Sequence, residues 1–540
     1  MRRYLGLLVC LPFVAAGTTP HPSSETRGRI FDAFVSEIDR LDGEGLLARK
    51  GRPEGWAQTT ANLRKQALQA DTPAQFGEVF KWLDRTYPNL HAHLVLSEAF
   101  DSARANSSRP AVRFAPEIVR PQQKVFRYKI NSIETEAVKD IAESVRPAIG
   151  DDLLEINDRP VGEWARENFI YCKFPLREQC EMNMFDQFRR GHLSWRPGSP
   201  LRYTLLRNGR QWKVAVPLAK PSGRSPDESD HCQAIAGRYE GFAVAFRGLN
   251  VCVFESAKHP GVSVLRIHSF AYRGLPETDK IQSLEDEVNA FFAGYWQERA
   301  PRVTKLVIDL IDNGGGDTPT AWYEVFYPRP FQEMYVQFKK TPELDDPAIR
   351  REMFYEDAAK EIWFAQLVKS GRYGKIPVGG FLPPVPQFCA SEEKSCAEGL
   401  FKPRPHGFRG QVRILTNEWC ISSCTGFIWS MRDQLGARVK TVGLPDSGDS
   451  AYARLYLDLY LDSALPGGFR TAVSPRAGRT RQDLPAGAVL RQQVAVTRST
   501  DSRGRVISAR PNKIDVWIPF EYRHYDKSWE SKAFEAALDQ

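Results

Sequence analysis

The sequence predicts an α/β protein of several units: a helical N-terminal block, a β-rich middle and a C-terminal core of alternating strands and helices. Three observations predict it. The chain has 540 residues, 42% hydrophobic and 26% charged, which is too long for one core and leaves room for roughly three or four domains. From about Asp227 short apolar runs alternate with segments of helical spacing, as in Val262–Ile267, Thr278–Gln297 and Val303–Leu310. Two strands of that core end in unusual turns, one glycine-rich (Ile311 to Asp317) and one placing serines between cysteines (Cys420 to Cys424).

At the N-terminus, Arg2 and Arg3 precede a short apolar run, and Val14-Ala15-Ala16 before Gly17 fits a signal-peptidase site. Residues 1–16 therefore read as a signal peptide, with an uncleaved anchor as the alternative. No later segment is long and apolar enough to span a bilayer, so no stable membrane insertion is expected. The protein is expected to be exported, periplasmic or secreted. Ile30, Phe31, Phe34, Ile38 and Leu41, then Phe76, Val79, Phe80 and Leu83, recur at helical spacing. They define a helical N-terminal domain over 27–110, in which His91-Ala92-His93-Leu94-Val95-Leu96 reads as a strand.

A β-rich unit is expected over 120–221. Its clearest piece is the turn and short strand Gly150-Asp151-Asp152-Leu153-Leu154-Glu155-Ile156-Asn157. Near its end, Leu201–Arg207 and Arg210–Val216 flank Asn208-Gly209, the commonest signal for a tight hairpin. This arrangement resembles a PDZ domain carrying an insertion between Gly162 and Pro200. The resemblance implies strand addition to an extended peptide end, with a non-binding spacer as the alternative.

The third unit spans 227–540. It adds a helical stretch over 345–367, a Pro-rich stretch from Pro377 to Pro405 read as a surface excursion, and a strand near Val439–Gly443. Strand, serine turn, helix and strand make a βαβ-type core. Without the leader, eight of the nine cysteines remain, and an exported chain is expected to oxidise them. Among about a hundred pairings, proximity favours Cys172 with Cys180, Cys232 with Cys252, Cys389 with Cys396, and Cys420 with Cys424. Zinc-like spacing with nearby histidines is absent, so no metal site is expected. The net charge of +8 is spread along the chain, with one concentration at Arg470, Arg476, Arg479, Arg481 and Arg491. That cluster has no interleaved aromatics and reads as solvated surface, so nucleic acid is not an expected partner.

Ser422 lies where the strand Val412–Asn417 turns into the apolar helix beginning near Thr425. A serine there exposes its hydroxyl beside backbone N–H groups and the positive end of a helix dipole. That suits a nucleophile whose attack creates an oxyanion, and the alternative is an ordinary helix N-cap. The glycines after Leu306-Val307-Ile308-Asp309-Leu310 permit positive φ and leave N–H groups accessible. A Walker lysine is missing and the spacing is wrong for a dinucleotide fingerprint.

Together the two segments resemble those of the C-terminal processing, or tail-specific, serine proteases. Leu306-Val307-Ile308-Asp309-Leu310-Ile311-Asp312-Asn313-Gly314-Gly315-Gly316 is similar to the family's "L-(I/V)-(I/L)-D-L-R-x-N-x-G-G". Ile414-Leu415-Thr416-Asn417-Glu418-Trp419-Cys420-Ile421-Ser422-Ser423-Cys424 is similar to its "V-L-x-N-x-x-(S/T)-A-S-A-S-E". Val264–Phe270 resembles its "Y-I-R-I-x-S-F", and the helical block and PDZ-like unit come in the family's order. The resemblance implies a crotonase-like α/β protease core with Ser422 as nucleophile. It also implies an oxyanion hole from the N–H of Ser423 with that of Gly315 or Gly316.

The sequence departs from the family in three places, one being the glutamate that the tricorn-like branch uses near the C-terminus, for which Asp483 is only the nearest carboxylate. Ile311 replaces a frequent arginine, and Asp449 stands where many members carry a general-base lysine. An aspartate is too weak a base to replace that lysine unaided. His91-Ala92-His93 resembles the segment that supplies a histidine in the tricorn-like branch. His93 aligns with that histidine, His91 is the alternative, and Asp449 would orient the imidazolium. His268, in a core strand, reads as a packing residue. The implied function is an exported serine endopeptidase acting on unstructured polypeptide ends, without cofactor. The competing reading is a catalytically inactive peptide-binding protein that keeps the protease fold.

Overall fold

The computed structural model describes residues 21–43, 56–87, 89–101, 109–119, 127–168, 173–174, 176, 179–180, 200–219, 231–271, 283–317, 319–405, 408–448, 454–462, 464–465, 467–474, 480–501, 503–521 and 528–540. The expected leader, Cys172 and Asp449 lie outside the described residues.

A seven-stranded sheet organises the C-terminal half. Its spatial order is Ala243–Arg247, Val251–Glu255, Val262–Ile267, Lys305–Asp309, Gln411–Thr416, Val439–Gly443 and Val516–Trp517. The first two junctions are antiparallel, and every later one is parallel. Parallel strands are covered on both faces, which explains the unbroken apolar runs in the sequence. Leu306 and Ile308 point to one layer with Val288, Trp322 and Phe427. Val307, between them, points to the other with Tyr239, Trp529 and Phe534. The C-terminal helix Ser528–Asp539 supplies much of that second layer.

The N-terminal helices Ser24–Leu41, Trp56–Gln69 and Pro73–Thr86 form where the apolar spacing predicts them. They share one core with strands from the far end of the chain, including Leu455, Leu457, Leu490 and Val494. These belong to a separate antiparallel sheet in which Leu94–Leu96 pairs with Ala488–Ala495, which pairs with Arg454–Leu461 and then Phe469–Ser474. This long-range return is absent from the sequence reading. The strand after the two histidines is also shorter than expected, beginning at Leu94.

The β-rich unit is an antiparallel sheet containing Val112–Pro116, Tyr128–Ile133, Asp152–Ile156, Leu201–Arg207 and Arg210–Val216. Asn208 and Gly209 both take positive φ (50° and 79°), the turn that an Asn-Gly hairpin favours. Helix Val161–Asn168 follows the strand that ends in the Asn157-Asp158 turn. The Pro-rich stretch is more than a surface excursion. Val385–Pro386 pairs with Tyr335–Phe338, and Leu382, Val385 and Cys396 are buried. Disulfides Cys232–Cys252, Cys389–Cys396 and Cys420–Cys424 are present.

Candidate active site

Strands Lys305–Asp309 and Gln411–Thr416 are parallel neighbours, so the loops leaving their C-terminal ends emerge side by side. One loop carries the glycines and the other carries Ser422. They are knitted together by Ile421 N–H to Asn313 O at 3.2 Å and by Ser423 Oγ–H to Gly316 O at 2.9 Å. Asn417, which the family-like motif contains, also reaches across to Asp312.

Ser422 has φ 59° and ψ −122°, a strained backbone for a residue with a Cβ. Ser422 occupies the N-cap position of the helix Ser423–Leu435, but its hydroxyl makes no cap hydrogen bond. Ser422 Oγ lies instead 2.8 Å from His91 Nε2, across 331 positions of sequence. That is hydrogen-bond distance, and it fits an O–H donating to a ring nitrogen. Buried Cys420 and Cys424, bonded to each other, bracket this turn.

His91 is held by its backbone. Its N–H donates to Asn89 Oδ1 at 2.7 Å, and its carbonyl accepts from Gln493 Nε2 at 2.5 Å. Asn89 and Gln493 are both almost fully buried. Gln493 N–H also donates to His93 O at 2.9 Å. His93 itself is exposed. The imidazole brought to Ser422 is thus that of His91, the alternative, two residues before the one that the alignment favours. His268 is exposed rather than packed, with Nδ1 3.4 Å from Arg266 Nη2.

Gly315 and Gly316 have φ of 81° and 139°. A Cβ at Gly315 would be driven into Ile421 O, and one at Gly316 into the backbone of Phe270 and Ala271. Gly315 N–H donates to Asn313 Oδ1 at 2.9 Å. Ser423 begins the helix, so its N–H has no intrahelical acceptor. Behind the glycine loop, buried Asp309 accepts from Arg266 Nη1 at 2.9 Å, from Ile311 N–H at 2.9 Å and from the Tyr239 hydroxyl.

Beneath the serine turn lies Asp446, fully buried. It accepts from Asn512 Nδ2 at 2.5 Å and from Gly448 N–H at 2.9 Å. Burial outweighs these bonds and pushes its pKa up to about 6. The next residue, Ser447, donates its N–H to Cys420 O at 3.0 Å. Thr425 Oγ1–H also bonds Cys420 O at 3.0 Å. Nothing in the sequence marks Asp446 or Gln493, because both act through contacts with distant segments.

Among the described residues, two groups have the spacing of metal ligands: His231, Cys232, Cys252, and Asp357, Cys389, Cys396. In each, both sulfurs are tied up in a disulfide, which leaves no thiolate to ligate. Neither group contains a residue of the serine site.

No protein-family model matches the chain, and no curated protein does. Solved structures do. Mature CPAF complexed with lactacystin is 14% identical, with 95% of this chain and 98% of that one covered and a TM-score of 0.59. Mature CPAF alone is 13% identical, with 96% of each chain covered and a TM-score of 0.60. The photosystem II D1 C-terminal processing protease is 13% identical over 94% of this chain and 96% of that one, at a TM-score of only 0.35. At these identities the likeness concerns the backbone and not the site. The chain shares the fold of mature CPAF.

Proposed function

We propose that the protein is an exported serine endopeptidase that cleaves unstructured polypeptide ends by acyl transfer through Ser422. The single observation that carries this reading is the 2.8 Å approach of His91 Nε2 to Ser422 Oγ. A nucleophile and its base at hydrogen-bond reach, on a strained strand-to-helix turn, form the minimal unit of such chemistry. The disulfides among the described residues are consistent with an oxidising destination.

In this reading His91 Nε2 takes the Ser422 proton as Oγ attacks the scissile carbonyl carbon. The resulting oxyanion accepts from the N–H groups of Ser423 and Gly316, each such donor being worth about 3 kcal/mol in the transition state. Collapse breaks the C–N bond, and the proton on His91 passes to the departing amine. Water, deprotonated by His91, then releases the acyl group and restores Ser422. The β-rich unit, read as PDZ-like, would hold an extended C-terminal end by strand addition. Asp449, in place of the family's lysine, favours the competing reading of an inactive peptide binder.

A fluorophosphonate probe separates the two. Labelling of wild type that disappears in Ser422→Ala and falls strongly in His91→Ala, but not in His93→Ala, supports the enzyme. Folded wild type that takes no label sinks it.

A further inference from the structure

The loops that carry His91 and Ser422 adjoin different sheets. The turn of His91 leads into the strand Leu94–Leu96 of the antiparallel sheet, and Ser422 follows a strand of the seven-stranded one. Among the described residues, no shared ladder of backbone hydrogen bonds sets their separation. A misplacement of about 1 Å between reacting groups costs on the order of a hundredfold in rate.

Four residues from the insertion of the β-rich unit touch both sides of this junction. On the histidine side, Lys173 Nζ donates to Ala92 O at 3.2 Å and pairs with Asp84 Oδ2 at 3.1 Å. It thereby ties the residue after His91 to the helix Pro73–Thr86. On the serine side, buried Gln179 donates Nε2 to Pro445 O at 3.1 Å and to Asp446 O at 2.5 Å. Those carbonyls lie in the loop whose Ser447 N–H holds Cys420 O. Between them the Phe174 ring stands edge-on to Trp419, with centroids 5.8 Å apart at 90°. Phe174 and Cys180 form a small apolar cluster with Leu90 and Trp419, residues close in sequence to the base and the nucleophile.

We propose that Lys173, Phe174, Gln179 and Cys180 form a positioning strap that fixes the distance between Ser422 and His91. They touch neither reacting atom and act through the loops that carry them. The inference rests on the peptidase reading for its kinetic consequence but not for its structural one.

The test uses the full chain with Lys173→Met, Lys173→Arg and Gln179→Leu, read by fluorophosphonate labelling rate and by amide hydrogen exchange. In Lys173→Met the labelling rate falls about tenfold or more, with KM for a short peptide changed less than threefold. Lys173→Arg, which keeps a donor, restores most of the rate. Exchange rises at residues 89–93 and 420–424 and stays unchanged in the central strands. Adding Gln179→Leu to Lys173→Met costs less than the product of the single effects, as expected of residues that hold one distance. Wild-type labelling and exchange in Lys173→Met overturn the strap, as does loss of protection throughout the chain, which marks a general folding role. Should Gln179→Leu fail to fold, the two Lys173 variants still decide. If wild type takes no label, the peptidase reading falls, and the exchange result alone decides the strap.

Discussion

Asn417 and Asp312 exchange a reciprocal pair of hydrogen bonds. Asn417 Nδ2 donates to Asp312 Oδ1 at 2.7 Å, and Asp312 N–H donates to Asn417 Oδ1 at 2.9 Å. The same Asn417 oxygen takes Trp419 N–H at 3.2 Å. One side chain thus joins the glycine loop to the serine loop and braces the approach to Ser422. Asn417→Ala removes all three bonds. It is expected to cost about 2 kcal/mol of stability and to slow fluorophosphonate labelling. Urea denaturation beside labelling kinetics checks both, and an unchanged midpoint refutes the clamp.

The neighbouring glycines should not tolerate alanine equally. At Gly315 the φ of 81° and the collision with Ile421 O leave a Cβ nowhere to go without moving the serine turn. Gly314 has nothing within 4 Å of an added Cβ. Gly315→Ala is expected to lose about 2 kcal/mol or more and most labelling, whereas Gly314→Ala keeps its stability within about 0.5 kcal/mol. Thermal melts of the two variants make the comparison. Equal melting temperatures would sink the steric account.

Asp446 gives a pH dependence whose sign follows from its environment. Its folded-state pKa is pushed up to about 6 from the ordinary 3.8 by burial. Between those values the folded chain keeps a proton that the unfolded chain has released. Stability from this group is therefore full below about pH 4 and is lost as pH rises toward 6, by about 3 kcal/mol. Asp446→Asn carries no such proton. The difference in unfolding free energy between wild type and variant should shift against wild type by that amount over this range. A difference that is flat with pH contradicts the assignment.

The Cys420–Cys424 disulfide closes a loop of a few residues around a backbone that holds a non-glycine residue at positive φ. Replacing both cysteines by alanine is expected to cost about 2 kcal/mol and to reduce labelling by more than that stability loss explains, because the turn is free to relax. Labelling below the unfolding transition tests this. A double variant that labels like wild type shows that the bridge does not shape the turn.

The parts that were legible in the sequence are those written in short-range signals. Asn208-Gly209 specifies its hairpin, the apolar run before Asp309 specifies a strand buried on both faces, and the serine and glycine turns sit at strand ends as expected. The choice between His91 and His93 was not legible. It depends on the register of Leu94–Leu96 against Leu490–Gln492 and on a buried amide from Gln493. The sharing of one core by the N-terminal helices and the strands after Arg454 escaped for the same reason. The Pro-rich stretch was misread because prolines signal loops, while its own Leu382 and Val385 are buried in the core shared with the N-terminal helices.

The grip of Gln493 on the carbonyl of His91 joins residues 402 positions apart. A ribosome at a typical pace of about 5–20 residues per second makes the histidine long before it makes the strand that seats it. Until that late strand arrives and folds back, the hydroxyl of Ser422 has no seated imidazole to take its proton. Under the proposed peptidase reading, a nascent chain without that strand lacks the geometry for acyl transfer.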